Sequence, residues 1–277
     1  MLAFMRPIVP YNPLSNQASK IGSFKIADLF VNHKPQKVKT MKTQPRYHPL
    51  NRNWRLHYEP TYQGLPVMCE RHDHSPLVEN FLEKTLTLFQ RTREQHPRTF
   101  ALRFDLYFPA DFDLAAINHG SDIMKTFWRY LDSQFNTASL AHSPKTEYIW
   151  VREIGPQSDK PHFHVLLMLD ANAILNLGNP APSPDGTYSD NTLAHRIIRA
   201  WLGALAYPAL DPLGSLVYFQ KDSHTGEFIR WLLDRSDDYN WTRLFYLTSY
   251  LFKTYSKPVG QGIRAFGSSR LYRRTPA

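Results

Sequence analysis

A run of branched and aliphatic residues at 163–169, introduced by Pro161, constrains the fold more than any other part of this sequence. An apolar run of this length after a turn-forming proline predicts a buried strand. Alternate side chains of a strand point to the same face, so His162 and His164 project together and Phe163 points to the opposite side. Two imidazoles side by side at the rim of a core indicate a metal site.

The spacing alone is weak evidence, because the chain contains a second pair of this kind. His72-Asp73-His74 lies in a polar segment with no predicted strand around it, and we interpret that pair as a chance occurrence on the surface. The pair at 162 and 164 differs in two respects. An apolar strand follows it, and a group of tyrosine and lysine residues lies farther along the chain.

Composition excludes several classes of protein. With 42% hydrophobic residues the chain can bury a substantial core, as one large domain or one domain with extensions. No apolar run approaches the ~20 residues of a transmembrane helix. Pro7, Pro10 and Pro13 interrupt the only mildly apolar part of the N-terminus, and a single cysteine excludes an internal disulfide and cysteine-based zinc sites. We expect a soluble, cytoplasmic protein without a membrane partner.

Positive charge is concentrated at the two ends of the chain. Residues 1–58 contain ten Lys/Arg and one acidic residue, residues 253–277 contain six and none, and the segment between them is net acidic. Basic ends can neutralise nucleic-acid phosphates, although they can also serve only as soluble extensions. We expect residues 1–58 to be a basic, largely irregular arm, and residues 59–277 to form the folded domain with a basic C-terminal tail.

Periodicity and turn signals predict an α+β fold built on a β-α-β-β-α-β core. A helix over about 76–95, capped by Ser75, precedes this core, and another over about 240–255 follows it. The predicted strands and helices of the core are, in order, strand 99–108, helix 123–135, strand 147–154, the histidine strand, helix 191–205 and strand 216–220. This order is the split βαβ arrangement, an RRM-like antiparallel sheet with both helices on one face.

The last predicted helix contains the second group of candidate residues. Tyr246 and Tyr250 are four residues apart and share a helix face, and Lys253 follows one turn later. Aromatic residues at this spacing often only pack into a core. Next to a metal site, however, a tyrosine hydroxyl is a workable nucleophile for cutting a phosphodiester. Tyr255 is about 500° around the helix from Tyr250 and is expected to point elsewhere.

Together these motifs resemble those of the HUH endonucleases, named for two histidines around a hydrophobic residue, and in particular those of rolling-circle replication initiators. His162-Phe163-His164 matches the metal motif, and Tyr-x-x-x-Tyr-x-x-Lys at 246–253 matches the two-tyrosine motif. The chain is also similar to the prophage-encoded YagK/YfjJ family and to inovirus (filamentous phage) replication proteins. The resemblance covers roughly residues 75–257 and does not explain the basic arm.

The resemblance implies a DNA-nicking replication initiator of a phage, prophage or plasmid. His162 and His164, with Glu153 as third ligand, would hold a divalent ion, Mg²⁺ or Mn²⁺. Single-stranded origin DNA would be cleaved through a 5′-phosphotyrosine intermediate that leaves a free 3′-OH, and strand joining would follow.

Within this mechanism the resemblance implies a role for each residue of the tyrosine motif. Tyr250 would attack first, Tyr246 would act in the second step, and Lys253 would favour the phenolate or neutralise the phosphate. No helicase P-loop follows, so a host helicase and polymerase are the expected partners. Two alternatives remain: an HUH relaxase or transposase with one working tyrosine, and a non-enzymatic RRM-like nucleic-acid-binding protein whose histidines and tyrosines only pack or stack.

Overall fold

The computed structural model describes residues 44–69, 76–113, 120–138, 140–155, 160–259 and 263–270. The strands in these ranges are β1 (Tyr47–His48), β2 (Asn51–His57), β3 (Thr61–Tyr62), β4 (Leu65–Pro66), β5 (Leu77–Val78), β6 (Arg98–Leu106), β7 (Glu147–Ile154), β8 (Pro161–Asp170), β9 (Val217–Phe219), β10 (Arg230–Asp234) and β11 (Phe266–Ser268). The α-helices are α1 (Glu79–Gln95), α2 (Gly120–Asn136), α3 (Leu193–Ala204) and α4 (Asp238–Ser249). Short 3₁₀ helices lie at Leu213–Leu216 and Tyr250–Phe252.

The central sheet has the strand order β10-β6-β8-β7-β11, with β9 also paired to β6. Neighbouring strands are antiparallel, so β6 and β7 run in the same direction with β8 between them. Along the chain these elements follow in the order β6-α2-β7-β8-α3-β9, so the fold is a mixed α+β arrangement on an antiparallel sheet. Its register places Asp105 of β6 opposite His164, and Glu153 of β7 opposite His162.

Alternation along the strands divides the core into two layers. Helices α2 and α3 cover one face, where Phe163 of β8 packs near Trp201 of α3. Helices α1 and α4 cover the other face, where Leu166 and Met168 of β8 belong to the same apolar cluster as Phe245 of α4. The prediction of helices on one face holds for α2 and α3 but is wrong for the whole sheet. The apolar side chains on the histidine face also need cover, and α1 and α4 supply it.

The strands before α1 pack against the body of the protein. Strands β1, β2 and β5 form a small sheet, and Trp54 of β2 contacts the ring of Phe81 of α1 at 5.5 Å between centroids. Arg55 donates to Glu83 of α1 at 2.5 Å. Residues 1–43 of the expected arm lie outside the described residues, but its last part, over 47–57, is regular and anchored rather than irregular.

Helix α1 begins later than predicted. Leu77 and Val78 pair with β2 as a strand, so the helix starts at Glu79 and not at Pro76. Burial of both side chains favours this pairing over another helical turn. The predicted cap, Ser75, lies outside the described residues.

The last helix ends earlier than predicted. Helix α4 begins after Asp237, whose side chain accepts from the backbone N–H of Asn240 at 3.0 Å, and it ends at Ser249. A 3₁₀ helix follows, and Lys253 then has an extended backbone with φ −59° and ψ 141°. Tyr255 is therefore not on a helix, and the prediction that it points elsewhere, which assumed a continuous helix, is wrong. Lys253 and Lys257 are buried, so this part of the predicted basic tail belongs to the folded body.

No helix in the described part of the chain has both the length and the apolar character needed to cross a membrane.

Candidate metal centre

Three neighbouring strands place polar side chains in one cluster at one end of the central sheet. His162 and His164 come from β8, Glu153 from β7 and Asp105 from β6. Glu153, His162 and His164 each offer one ligand atom, and these atoms lie within 4.8 Å of one another. Two imidazole nitrogens and one carboxylate oxygen are a donor set that suits a divalent transition metal or magnesium.

The spacing of the two histidines also fits a metal. Their Nε2 atoms are 3.2 Å apart. Adjacent ligands of an octahedral ion with bonds of ~2.1 Å are separated by roughly 3 Å, so both nitrogens could bind one ion without a large movement. The described residues thus fit a three-ligand site.

His164 is held between two carboxylates. Its Nδ1 lies 2.6 Å from Asp105, which is itself buried, and its Nε2 lies 3.5 Å from Glu153. Gln220 donates to the second oxygen of Asp105 at 3.3 Å. Burial lowers the pKa of His164, but Asp105 and then Glu153 outweigh that effect and raise the pKa to about 9. Burial raises the pKa of Asp105, but the charge of His164 outweighs it and the net direction is downward.

His162 has the opposite electrostatic behaviour. Burial, followed by the charge of His164, lowers the pKa of His162 to about 4. Its ring lies against that of Tyr107, with centroids 5.4 Å apart and planes at 17°. At neutral pH His162 is therefore a neutral imidazole in a fixed plane, while His164 keeps a proton in the metal-free protein.

A buried lysine neutralises the third ligand. Lys257 donates to one Glu153 oxygen at 2.5 Å, and the lysine side chain has no solvent exposure. Burial alone would raise the pKa of Glu153, but Lys257 and then His164 hold it well below its usual range. The segment is fixed at this point because the backbone N–H of Ile154 donates to the carbonyl of Ser256 at 3.1 Å. Glu153 is therefore ionised and oriented.

The elements that carry the predicted tyrosines cover the histidine face of the sheet. Phe245 of α4 and Phe252 of the 3₁₀ helix belong to the cluster that contains Leu166 of β8. Tyr246 is half-buried, and burial raises its pKa. The helix that carries Tyr246 thus packs over the histidine face.

The lysine of the predicted motif lies between two tyrosines. The ammonium of buried Lys253 is 3.1 Å from the centroid of the Tyr250 ring and donates to the hydroxyl of Tyr255 at 2.6 Å. The structure therefore brings Tyr250 and Lys253 together, as expected, and adds Tyr255, which was expected to point elsewhere. Glu153, His162 and His164 form a separate group, the metal cluster.

Comparison with known sequences identifies a protein family that the chain matches. Residues 58–269 match the family model described as the YagK/YfjJ C-terminal domain. The chain belongs to this family. The uncharacterized protein YfjJ of Escherichia coli (strain K12) is 28% identical over 211 residues, which cover 70% of this chain and 95% of YfjJ. The uncharacterized protein YagK of the same strain is 26% identical over 227 residues, which cover 76% of this chain and 98% of YagK. No solved structure matches the chain.

The part that matches the YagK/YfjJ C-terminal domain contains the metal cluster and the tyrosines, and also three residues that sequence reasoning missed. Asp105 orients His164, Tyr107 packs on His162, and Lys257 holds Glu153. The strand over 99–108 carries Asp105 among apolar residues, and that position was a usable signal. Lys257 had no such signal, because the carboxylate that it holds is distant in the sequence.

Proposed function

We propose that this member of the YagK/YfjJ family is a metal-dependent, HUH-type endonuclease and strand transferase that initiates rolling-circle replication of a phage, prophage or plasmid. The observation that carries the proposal is the meeting of Glu153, His162 and His164 on the sheet face that is covered by α4, which carries Tyr246, and by the 3₁₀ helix that begins at Tyr250. The strand order of the sheet agrees with the RRM-like domain of such enzymes. The proposed substrate is single-stranded origin DNA in the bacterial cytoplasm.

The residues of the cluster have distinct tasks in this proposal. His162, His164 and Glu153 would hold Mg²⁺ or Mn²⁺, which when bound supplies Lewis-acid polarisation of a non-bridging phosphate oxygen. Asp105 occupies the Nδ1 side of His164 and so leaves Nε2 for the cluster. Lys257 holds one oxygen of Glu153, while the other faces His164.

The tyrosines supply the nucleophile. A phenol oxygen attacks the phosphorus, its proton leaves to solvent, and the bond from phosphorus to the 3′ oxygen breaks. The departing 3′ oxygen takes up a proton, which gives a 5′-phosphotyrosine and a 3′-OH that a host polymerase can extend, with unwinding by a host helicase. Tyr250 is the proposed first nucleophile because Lys253 contacts its ring. Tyr246, one helical turn earlier, would act in the second, joining step.

Adduct formation tests the proposal. The full chain is incubated with Mn²⁺ and labelled single-stranded DNA from the intergenic region next to its gene, and denaturing gels reveal covalent protein–DNA complexes. We expect an adduct that chelator or His162→Ala abolishes, whereas His72→Ala, which changes the other histidine pair, has no effect. Tyr250→Phe should remove most of the adduct, and Tyr246→Phe should mainly reduce joining.

Other outcomes would overturn parts of the proposal. An adduct that survives in the Tyr246/Tyr250 double phenylalanine variant would show that the nucleophile is wrong, and Tyr255→Phe would then be the next variant. Cleavage that is unchanged in chelator would show that the reaction does not need the proposed metal ion. Tight DNA binding without any cleavage would favour the non-enzymatic binding protein.

A further inference from the structure

A polar groove of about 980 Å³ lies at the edge of the central sheet, between α2 on one side and strands β7 and β11 on the other. Its lining includes four cations, Lys125, Arg129, Arg264 and Arg270, against two carboxylates, Asp122 and Asp132. The four cationic side chains are exposed. The groove therefore has a net positive charge, with α2 as one wall and β7, β11 and the residues that flank β11 as the other.

Aromatic rings form the floor of this groove. Trp128 of α2 and Tyr148 of β7 are stacked, with centroids 3.6 Å apart and planes at 9°. Trp150 lies against Gly267 of β11, where any Cβ would come within 2.4 Å of the indole. Burial raises the pKa of Tyr148 to about 12, and the guanidinium groups of Arg270 and Arg264 act in the opposite direction. Cations and rings are thus close together.

One donor of the floor has no partner among the described residues. Trp128 is 5% exposed, and its buried indole N–H meets no acceptor among the residues that the structure describes. Most buried donors are satisfied, and leaving one without an acceptor costs about 1–3 kcal/mol. Ser133, Asn136 and Ser268 also line the groove and can hydrogen-bond to a ligand. A ligand with flat rings, acceptors and negative charge matches these groups.

We propose that the groove binds single-stranded DNA beside the cleavage site, with unpaired bases near the aromatic floor and phosphates along Lys125, Arg129 and Arg264. Basic grooves with aromatic side chains are a general means of binding single strands. The inference rests on the proposed function, which makes single-stranded DNA the substrate. It adds a binding site that lies outside the metal cluster.

The position of the groove indicates which nucleotides it would hold. Trp150 faces the groove, and the next residue, Val151, points to the other face and lies opposite His164. Glu153 is three residues beyond Trp150, about 10 Å along β7. Strand β11 is the edge of the described sheet, so a single strand could pass around it from one face to the other. The groove would therefore hold nucleotides near the cut and not the scissile phosphate.

Binding without cleavage tests the inference. The anisotropy of a labelled oligothymidylate is followed with the full chain in chelator, over a series of salt concentrations. The groove variant combines Lys125→Gln, Arg129→Gln and Arg264→Gln. The control variant combines Lys84→Gln, Arg98→Gln and Arg230→Gln, which are exposed, lie on other elements and remove the same charge.

The salt dependence separates the outcomes. Three lost phosphate contacts should lower the slope of log affinity against log salt by about 2, at ~0.7 per contact for single strands. The control should keep the wild-type slope. Equal slopes in both variants would overturn the inference.

The proposed function can fail independently of this inference. His162→Ala should bind the oligonucleotide like wild type but form no adduct. The groove variant should still form the adduct when DNA is saturating. If wild-type protein forms no adduct while the groove variant loses affinity, the groove assignment stands and the nuclease assignment fails.

Discussion

The stability of the metal-free protein should be highest near pH 6.5, because the two histidines of the cluster shift in opposite directions. The pKa of His164 rises from 6.5 in the unfolded chain to about 9 in the fold. Its stabilisation is complete below pH 6.5 and is lost as pH rises to 9, since the folded state keeps a proton that the unfolded state has released. At ~1.4 kcal/mol per pH unit, this loss amounts to about 3 kcal/mol.

His162 produces the acidic side of the same profile. Its pKa falls from 6.5 to about 4 on folding, so between these values the unfolded chain binds a proton that the folded protein does not. Acidification through this pH range should therefore also lower the free energy of unfolding by about 3 kcal/mol. Glu153, whose pKa is depressed, adds a further loss below its unfolded value of 4.5. The two histidine effects meet at pH 6.5 and give a maximum there.

Urea denaturation in chelator, followed by tryptophan fluorescence from about pH 4 to pH 9, measures this profile. Asp105→Asn removes the main charge that raises the pKa of His164. In this variant the loss of stability above pH 6.5 should therefore become smaller, while the loss below pH 6.5 should remain. His142→Gln changes an exposed histidine and should keep the wild-type profile. A stability that stays constant or rises between pH 6.5 and 9 would refute the reasoning.

Three further predictions test other parts of the structure. Lys257→Met should lower the free energy of unfolding in urea by about 3–5 kcal/mol, because it leaves buried Glu153 without its ammonium partner. Lys84→Met on the surface of α1 is the control, and a loss below about 1 kcal/mol in Lys257→Met would contradict the role of the pair. Gly267→Ala should cost about 1–3 kcal/mol, because its Cβ would meet the indole of Trp150, whereas Gly155→Ala has open space and should cost little; equal stability of the two variants would exclude the clash. Deleting residues 1–43, which contain seven Lys/Arg, should reduce the salt dependence of DNA binding and keep the fold. Deletion through residue 58 should also destabilise the fold, because it removes Trp54. A salt dependence that is unchanged after the shorter deletion would show that the arm does not touch DNA.

Regular periodicity accounts for the part of the fold that sequence alone could predict. The histidine strand and strand Glu147–Ile154 follow from continuous apolar patterns, and α2 and α3 from helical spacing. Helix α4 was predicted too long because Tyr250 to Phe252 are apolar enough to continue it, whereas the backbone changes to a 3₁₀ helix and then extends at Lys253. Strand β11 is only three residues long, with a glycine at its centre, and no local pattern marks it.

The candidate site was predictable where it depends on alternation and not where it depends on long-range contacts. His162 and His164 share a face because they are two apart on a strand, and Glu153 was placed correctly beside them by the hairpin. Lys257 reaches Glu153 only because the chain returns to the sheet after α4, which no spacing encodes. The contact between Lys253 and Tyr255 was missed for the same reason.

The short connection between Lys253 and Lys257 makes the tyrosines and the third ligand mechanically dependent on each other. Lys253 is bound to the tyrosines at one end of this connection, and Lys257 is bound to Glu153 at the other. The three intervening residues include Tyr255 and form a turn, in which the backbone N–H of Lys257 donates to the carbonyl of Thr254 at 3.3 Å. A displacement of Tyr250 or Tyr255 that shifts this turn would move the Lys257 ammonium relative to Glu153. By thermodynamic reciprocity, whatever binds at the carboxylate then changes the free energy of events at the tyrosines, and the converse holds to the same extent.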